Sequence, residues 1–285
     1  MVRNYAFVLL AVLLLLLFTS GGPPEIRIPA SGGAPTTSYG RMTEDAYAKE
    51  NDLSVDAVGK RFAASGVLRC PGGASSAQVT GARDVITTVA HAFRDACKPH
   101  TSPDKCIFEY YLGAERRTIP LSADVWMGSC VDRAPRQGRV DWAVARLAFP
   151  ADVTPYEIYE QAETLVDMER VLAVVGYDIE AAGKTDKDGP FNKTIQECQI
   201  RNVRDWQTFE TNCEFEFGAS GSALFRVWGR RMTMLGVVFG DYHDKDYCPH
   251  GSCEFRSRKW SSLFVTLRGE FKDRLLAAVR QSAAR

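Results

Sequence analysis

The sequence predicts an all-β body followed by one C-terminal helix, and three features carry that prediction. Short apolar or alternating runs recur from Arg61 onward, among them "RFAASGVLRC", "SAQVTG", "DVITTVA", "CIFEYYLG", "RVLAVVGYD", "QTFETNCEFEF", "SALFRVW" and "TMLGVVFGDY". Strand-length segments at close spacing, separated by turn residues, are the pattern of a β-sandwich or barrel. No long helical pattern alternates with them, which disfavours a parallel βαβ sheet. At the end, "SSLFVTLRGEFKDRLLAAVRQSAAR" sets Phe271, Leu275, Leu276 and Val279 at helical spacing among charges. That is an amphipathic helix with one face to lay on the body.

Taken in chain order, residues 1–22 come first. One arginine precedes an apolar stretch from Tyr5 to Phe18, and small residues follow. This describes a signal peptide, or a signal-anchor if it is not cut. The stretch is shorter than the roughly 20 apolar residues that span a bilayer comfortably. Residues 23–60 form a flexible linker and N-terminal extension. Its first part, to residue 43, is rich in Gly, Pro, Ser and Thr and cannot bury enough surface to fold. A short polar helix is expected over Glu44–Lys60. The main domain then runs from 61 to 285. Within it "TPYEIYEQAETLVDMER" is polar and reads as a helical turn or a connecting loop.

Composition narrows the function. The 285 residues carry 35 basic and 35 acidic side chains, so the net charge is zero, whereas a nucleic-acid binder would show a basic surplus or stripe. Eight cysteines suit an exported chain, secreted or periplasmic, in which disulfides persist. Spacing suggests the local pairs Cys97–Cys106 and Cys248–Cys253, then Cys198–Cys213 between neighbouring strands, which leaves Cys70–Cys130. The rival for "CKPHTSPDKC" and "CPHGSC" is metal, but neither has the paired C-x-x-C spacing of a zinc module. No metal or organic cofactor is implied.

Three separated residues make chemical sense together. "TTVAH" ends an apolar run on His91, "VDWAVARLAF" places Asp141 inside an apolar strand, and "GASGSALF" holds Ser220 between Gly218 and Gly221. A serine hydroxyl is a poor nucleophile until a base takes its proton, and histidine suits that task near neutral pH. A buried carboxylate on the far ring nitrogen fixes the tautomer. The amides of Gly218 and Ser220 would then hold the oxyanion. The order His, Asp, Ser differs from the Ser, acid, His order of α/β-hydrolases, and position 222 is serine rather than the glycine of their G-x-S-x-G elbow.

From about Arg61 to Gly269 the chain resembles trypsin-like serine peptidases, and more closely their bacterial glutamyl-endopeptidase-like branch. "TTVAH" is similar to the family's T-A-A-H, "DWAV" to D-[IV]-A-[LV], and "GASGSAL" to G-x-S-G-[GS]-P-[LV]. "TNCEF" looks like the branch's C-D-T ahead of the serine, "VVGYD" like a strand of the second barrel, and "MLGVVFG" like the strand lining the substrate pocket. The resemblance implies two antiparallel six-stranded β-barrels with the active site between them. It implies His91 as general base, Asp141 as its orienting partner and Ser220 as nucleophile, with Phe239 and Gly240 beside the substrate. Glu214, six positions before Ser220, stands where some relatives select a basic substrate side chain. The chain departs from the family at Val89 and Ala223, in having no Ile-Val-Gly-Gly activation site, and in having no cysteine after His91.

The reading is therefore an exported serine endopeptidase, monomeric, acting on proteins or peptides and touching membrane only through an uncut N-terminal segment. The alternative is a catalytically weak or inactive binding or scaffolding protein of the same fold. Other features have plainer readings: His243 and His250 lie in a polar loop, Asp186 and Asp188 in "TDKDG" lack the rest of a calcium loop, and Asn192 in "NKT" is a glycosylation acceptor only in a host that glycosylates.

Overall fold

Strand-length runs with at least one apolar face build twelve barrel strands among the described residues. The computed structural model describes residues 40–95, 97–130, 138–158, 169–177, 193–215, 218–228, 231–243, 256–257 and 260–284. The first barrel comprises β1 (Ser65–Cys70), β2 (Gly73–Val79), β3 (Val85–Thr88), β4 (Ile107–Leu112), β5 (Glu115–Met127) and β6 (Ala143–Leu147). Their ring order is β1-β2-β3-β6-β5-β4. The second comprises β7 (Arg170–Val175), β8 (Thr194–Val203), β9 (Thr208–Thr211), β10 (Ala223–Trp228), β11 (Arg231–His243) and β12 (Trp260–Thr266). These follow β8-β7-β10-β11-β12-β9, and pairing of β8 with β9 closes the ring. Counted within each barrel, both rings run 1-2-3-6-5-4, so one topology occurs twice. Closure removes the open edges that would otherwise template aggregation. The expectation of two antiparallel six-stranded barrels with a C-terminal helix holds.

Some strands do not alternate, because both their faces are covered. All five residues of β6 and all four of β3 are buried. The cover is α3 (Gly269–Ala283) in its chain position at the C-terminus. Phe271 stacks on Trp142 at 4.9 Å between ring centroids. Arg146, fully buried in β6, pairs with Asp84 at 2.5 Å and donates to the helix carbonyl of Ala278 at 2.7 Å. Ser282 caps the same cluster through its hydroxyl bond to Asp84. The buried stripe is Phe271, Leu275 and Ala278. Leu276 and Val279, expected in it, sit half-buried on its flank, because the stripe turns with the 3.6-residue period and Ala278 falls nearer its centre. Truncating Phe271 to alanine is expected to cost about 3–5 kcal/mol. Chemical denaturation reads that loss, and a change below about 0.5 kcal/mol would show that the helix is not a structural element of the core.

The N-terminal extension differs from the sequence expectation. In place of one helix there are two, α1 (Glu44–Glu50) and α2 (Val55–Arg61). Each has a side-chain cap: Thr43 Oγ1 accepts from the Ala46 amide at 3.3 Å and Ser54 Oγ from the Ala57 amide at 3.2 Å, satisfying otherwise orphaned donors. Nor does a linker reach residue 60. Met42–Thr43 pairs with β8, and Tyr47, Val58 and Phe62 are fully buried in the main core. Lys193, at the head of β8, donates to the Phe62 carbonyl at 2.6 Å and pairs with Glu44 at 3.2 Å. The expected signal at 1–22 and the linker as far as residue 39 lie outside the described residues.

Two expected disulfides are corrected. Cys70 is bonded to Cys106 and Cys97 to Cys130, rather than Cys97 to Cys106 and Cys70 to Cys130. The reason is ring closure: β1 pairs with β4 through Arg69 and Ile107, which brings Cys70 and Cys106 to adjacent strand ends with Cα atoms 4.3 Å apart. Cys97, on the loop after His91, is left facing Cys130 beyond β5, beside the bond from Arg94 to the Gly128 carbonyl. Cys198 is bonded to Cys213. Cys248 and Cys253 lie outside the described residues. Three disulfides suggest an extracellular or exported protein. Among the described residues no helix is long and apolar enough to cross a membrane.

Candidate active site

The two barrels meet along a polar seam. Tyr156 meets Phe225 edge to face at 4.5 Å between ring centroids and bonds Ser65 through its hydroxyl at 2.7 Å. Gly176 approaches Gly66 so closely that a Cβ would overlap the Gly66 carbonyl. Ser76, Gln78, Thr80, Thr87 and Thr88 are buried polar residues of the first barrel. Thr80 and Thr87 bond each other at 2.9 Å and face the Met234 sulfur on β11.

His91 stands where β3 runs out, in a single 3-10 turn over Ala90–Ala92. Asp141 follows another such turn, Gly138–Val140, and precedes β6. The sequence placed it inside the strand; the extra turn lifts it to the barrel rim, where its carboxylate reaches His91. Both carboxylate oxygens bond His91. Oδ2 lies 2.7 Å from ring Nδ1, and Oδ1 accepts the His91 backbone amide at 2.9 Å. The Asp141 side chain is 8% exposed and that of His91 37%, so the carboxylate is shielded while the ring keeps one edge open. Burial alone would push the imidazole below its ordinary 6.5. The hydrogen bond and charge of Asp141 outweigh that effect and hold its pKa above 6.5.

Ser220 lies between two glycines of positive φ, Gly218 at 96° and Gly221 at 87°. Side chains resist that region, and at Gly221 there is also no room. A Cβ there would overlap the Ser76 carbonyl and lie 2.5 Å from Thr88 Oγ1. The loop therefore presses directly on the strand that leads, three residues later, to His91. The amides of Gly221 and Ser222 are taken by the carbonyls of Val238 at 2.8 Å and Ala219 at 2.9 Å. Among the described residues no protein acceptor takes the Ser220 amide, and no hydrogen bond joins the Ser220 hydroxyl to His91.

The other site candidates fall nearby. Val238 bonds both Gly221 and Ser222, so Phe239 and Gly240 come next to the serine loop, with Phe239 in the bulge between Val238 and Gly240. A bulge at that point turns the strand's side chains relative to the loop it pairs with. Glu214 donates its amide to Gln196 Oε1 at 3.0 Å, and Ser262 holds the preceding Cys213 carbonyl at 2.7 Å. The structure thus fixes the backbone of Glu214 on the approach to Ser220 and does not bring its carboxylate to His91. Cys97 and Cys106 are both in disulfides, which removes the thiolates a metal site at "CKPHTSPDKC" would need. His250, Asp186, Asp188 and Asn192, and the side chain of His243, lie outside the described residues.

Ser76 is the contributor that sequence reasoning missed. It is fully buried in β2, fifteen residues before His91, and its amide donates to the carbonyls of Gly218 at 3.0 Å and Ser220 at 2.8 Å. The only sequence signal was a small polar residue on the inward face of a strand, which carries no functional meaning by itself.

No protein-family model and no curated protein sequence matches the chain. Solved structures do match in fold. A Glu endopeptidase in complex with MPD aligns with TM-score 0.59 and 11% identity, over 77% of this chain and 91% of that one. The scabies mite inactivated protease paralogue S-I1 aligns with TM-score 0.57 and 13% identity, over 78% and 96%. HBP, the heparin-binding protein, aligns with TM-score 0.53 and 13% identity, over 78% and 93%. All are chymotrypsin-fold proteins. At such identities the likeness establishes that the chain has this fold, and the set contains both proteases and inactivated paralogues.

Proposed function

We propose that the protein is an exported serine endopeptidase that hydrolyses protein or peptide substrates through an acyl-enzyme. The observation that carries this reading is the two-pronged hold of Asp141 on His91, in a seam against which the Ser220 loop is pressed. Asp141 accepts the hydrogen bond from Nδ1–H, which fixes the tautomer and leaves Nε2 with a lone pair. As Ser220 Oγ bonds the scissile carbonyl carbon, its proton passes to Nε2, and the oxyanion faces the amides of Gly218 and Ser220. The C–N bond breaks as the amine takes that proton. Water then attacks the ester with His91 again as base, releasing the acid and restoring the serine. In apo structures such catalytic bonds are often long and tighten with substrate, so an open serine–histidine gap is compatible with the mechanism. Residues 1–22 would direct export and be cut, or would remain as a tether.

The inactivated mite paralogues among the fold neighbours favour a second reading, a binding module without turnover. The pH dependence of peptide hydrolysis separates the two. Because His91 must be neutral to accept a proton and its pKa lies above 6.5, kcat is expected to rise with pH through a midpoint above that value. A flat profile between about pH 5 and 8 would contradict a histidine base.

A further inference from the structure

We infer that Ser76 is a positioning residue that sets the attack geometry of Ser220 by clasping the two barrels together at the reacting loop. The inference rests on Ser220 being the nucleophile. Ser76 makes five hydrogen bonds from one fully buried position. Its amide is shared between the carbonyls of Gly218 at 3.0 Å and Ser220 at 2.8 Å. Its hydroxyl donates to the Gly218 carbonyl at 3.0 Å and accepts the Tyr177 amide, just past β7, at 2.9 Å. Its carbonyl accepts the Thr88 hydroxyl at 2.7 Å. One first-barrel residue therefore reaches the serine loop, the end of the second barrel's opening strand and the strand that leads to His91.

The geometry gives this clasp a specific task. Gly218 and Gly221 both have positive φ; glycine adopts either sign of φ about as readily, so outside restraint is needed to hold a single conformer. On the Ser220 side of the loop, Gly221 is held by Val238; on the Gly218 side, the restraint comes from Ser76. With the hydroxyl removed, the Gly218 carbonyl keeps, among the described residues, only the shared amide, the Tyr177 amide loses its acceptor, and the peptide plane that aims the loop is held less tightly. Since a displacement of about 1 Å can cost 100-fold in rate, the effect belongs to chemistry as well as to stability.

The test is reaction of the full chain with a fluorophosphonate, followed to completion. In that reaction the Ser220 Oγ–P bond forms, the P–F bond breaks, fluoride departs with the electron pair and the serine proton passes to His91. Ser76→Ala is expected to reach one adduct per folded chain, but with a second-order rate constant lower by about 10- to 100-fold. A merely structural residue would do the reverse, lowering the final stoichiometry while the remaining folded molecules react at the wild-type rate; that result overturns the inference. Should Ser76→Ala fail to fold, Thr88→Val removes the donor to the Ser76 carbonyl with little change of shape, and the same slowing at full stoichiometry is expected. An unchanged rate in the variant that folds also overturns it. A wild-type chain that does not react at all overturns the nucleophile reading instead, and this role with it.

Discussion

Replacing Ser220 with alanine is expected to lower peptide-bond turnover by about a million-fold, while the unfolding midpoint stays where it was. The two halves of that expectation have separate causes. On the proposed mechanism turnover collapses because the nucleophile is gone, and without an acyl-enzyme only the oxyanion donors and binding remain to assist water. Stability is preserved because the loop is held by backbone bonds, from Ser76 to the carbonyls of Gly218 and Ser220 and from Gly221 to Val238, none of which uses the Ser220 side chain. A substitution that breaks no buried bond is normally worth less than about 0.5 kcal/mol. Turnover within tenfold of wild type would remove Ser220 from the mechanism. Lost turnover with an unfolded chain would leave the catalytic role unsupported by this variant.

Replacing Asp141 with asparagine is expected to lower kcat by about 10,000-fold, with a diagnostic change in pH dependence. Both Asp141 oxygens accept from His91, one from the ring and one from the backbone amide. An asparagine amide nitrogen placed toward the ring offers a proton where the ring needs an acceptor. The imidazole then takes the opposite tautomer and presents N–H to Ser220. The sign of the pH effect follows from the causes acting on His91: burial lowers its pKa, and the bond and charge of Asp141 raise it further than burial lowers it. Without the carboxylate only the lowering influence is left, so the acid limb of the rate profile moves to lower pH. An unmoved limb would show that Asp141 does not set the protonation of His91.

The same linkage acts on stability in the opposite window. A histidine whose folded pKa is raised contributes stability that is fully present below its unfolded value near 6.5, and that is lost as pH rises through the folded pKa. Catalysis needs the proton gone. On the proposed mechanism, turnover would fall in the pH range where this increment of stability has faded.

Local features of the chain were legible from sequence, and contacts that close over long separations were not. The barrel strands could be read because burial on one face writes a period of two into the chain. His91, Asp141 and Ser220 could be singled out because each sits beside residues that shape its own turn, such as the glycines around Ser220. Cys97–Cys106 looks natural because the two are only nine positions apart, but ring closure of β1 on β4 pairs Cys106 with Cys70 instead, and nothing local encodes that pairing. Ser76 reaches Gly218 across 142 positions, so its role is invisible before the barrels dock. Arg146 is fully buried because α3 folds back over β6 and supplies both a carbonyl and, through Ser282, a partner for Asp84, contacts that nothing local to the residue encodes. Tyr47, Val58 and Phe62 are too sparse to announce a packed segment, and only their docking against the barrels accounts for the two short helices.

The most direct measurement is to expose the folded wild-type chain to a fluorophosphonate, digest it, and locate the added mass by fragmentation. The chemistry described here places one adduct on Ser220, formed faster as pH rises through the His91 transition. An adduct on another residue, or none from a chain shown to be folded, would contradict it.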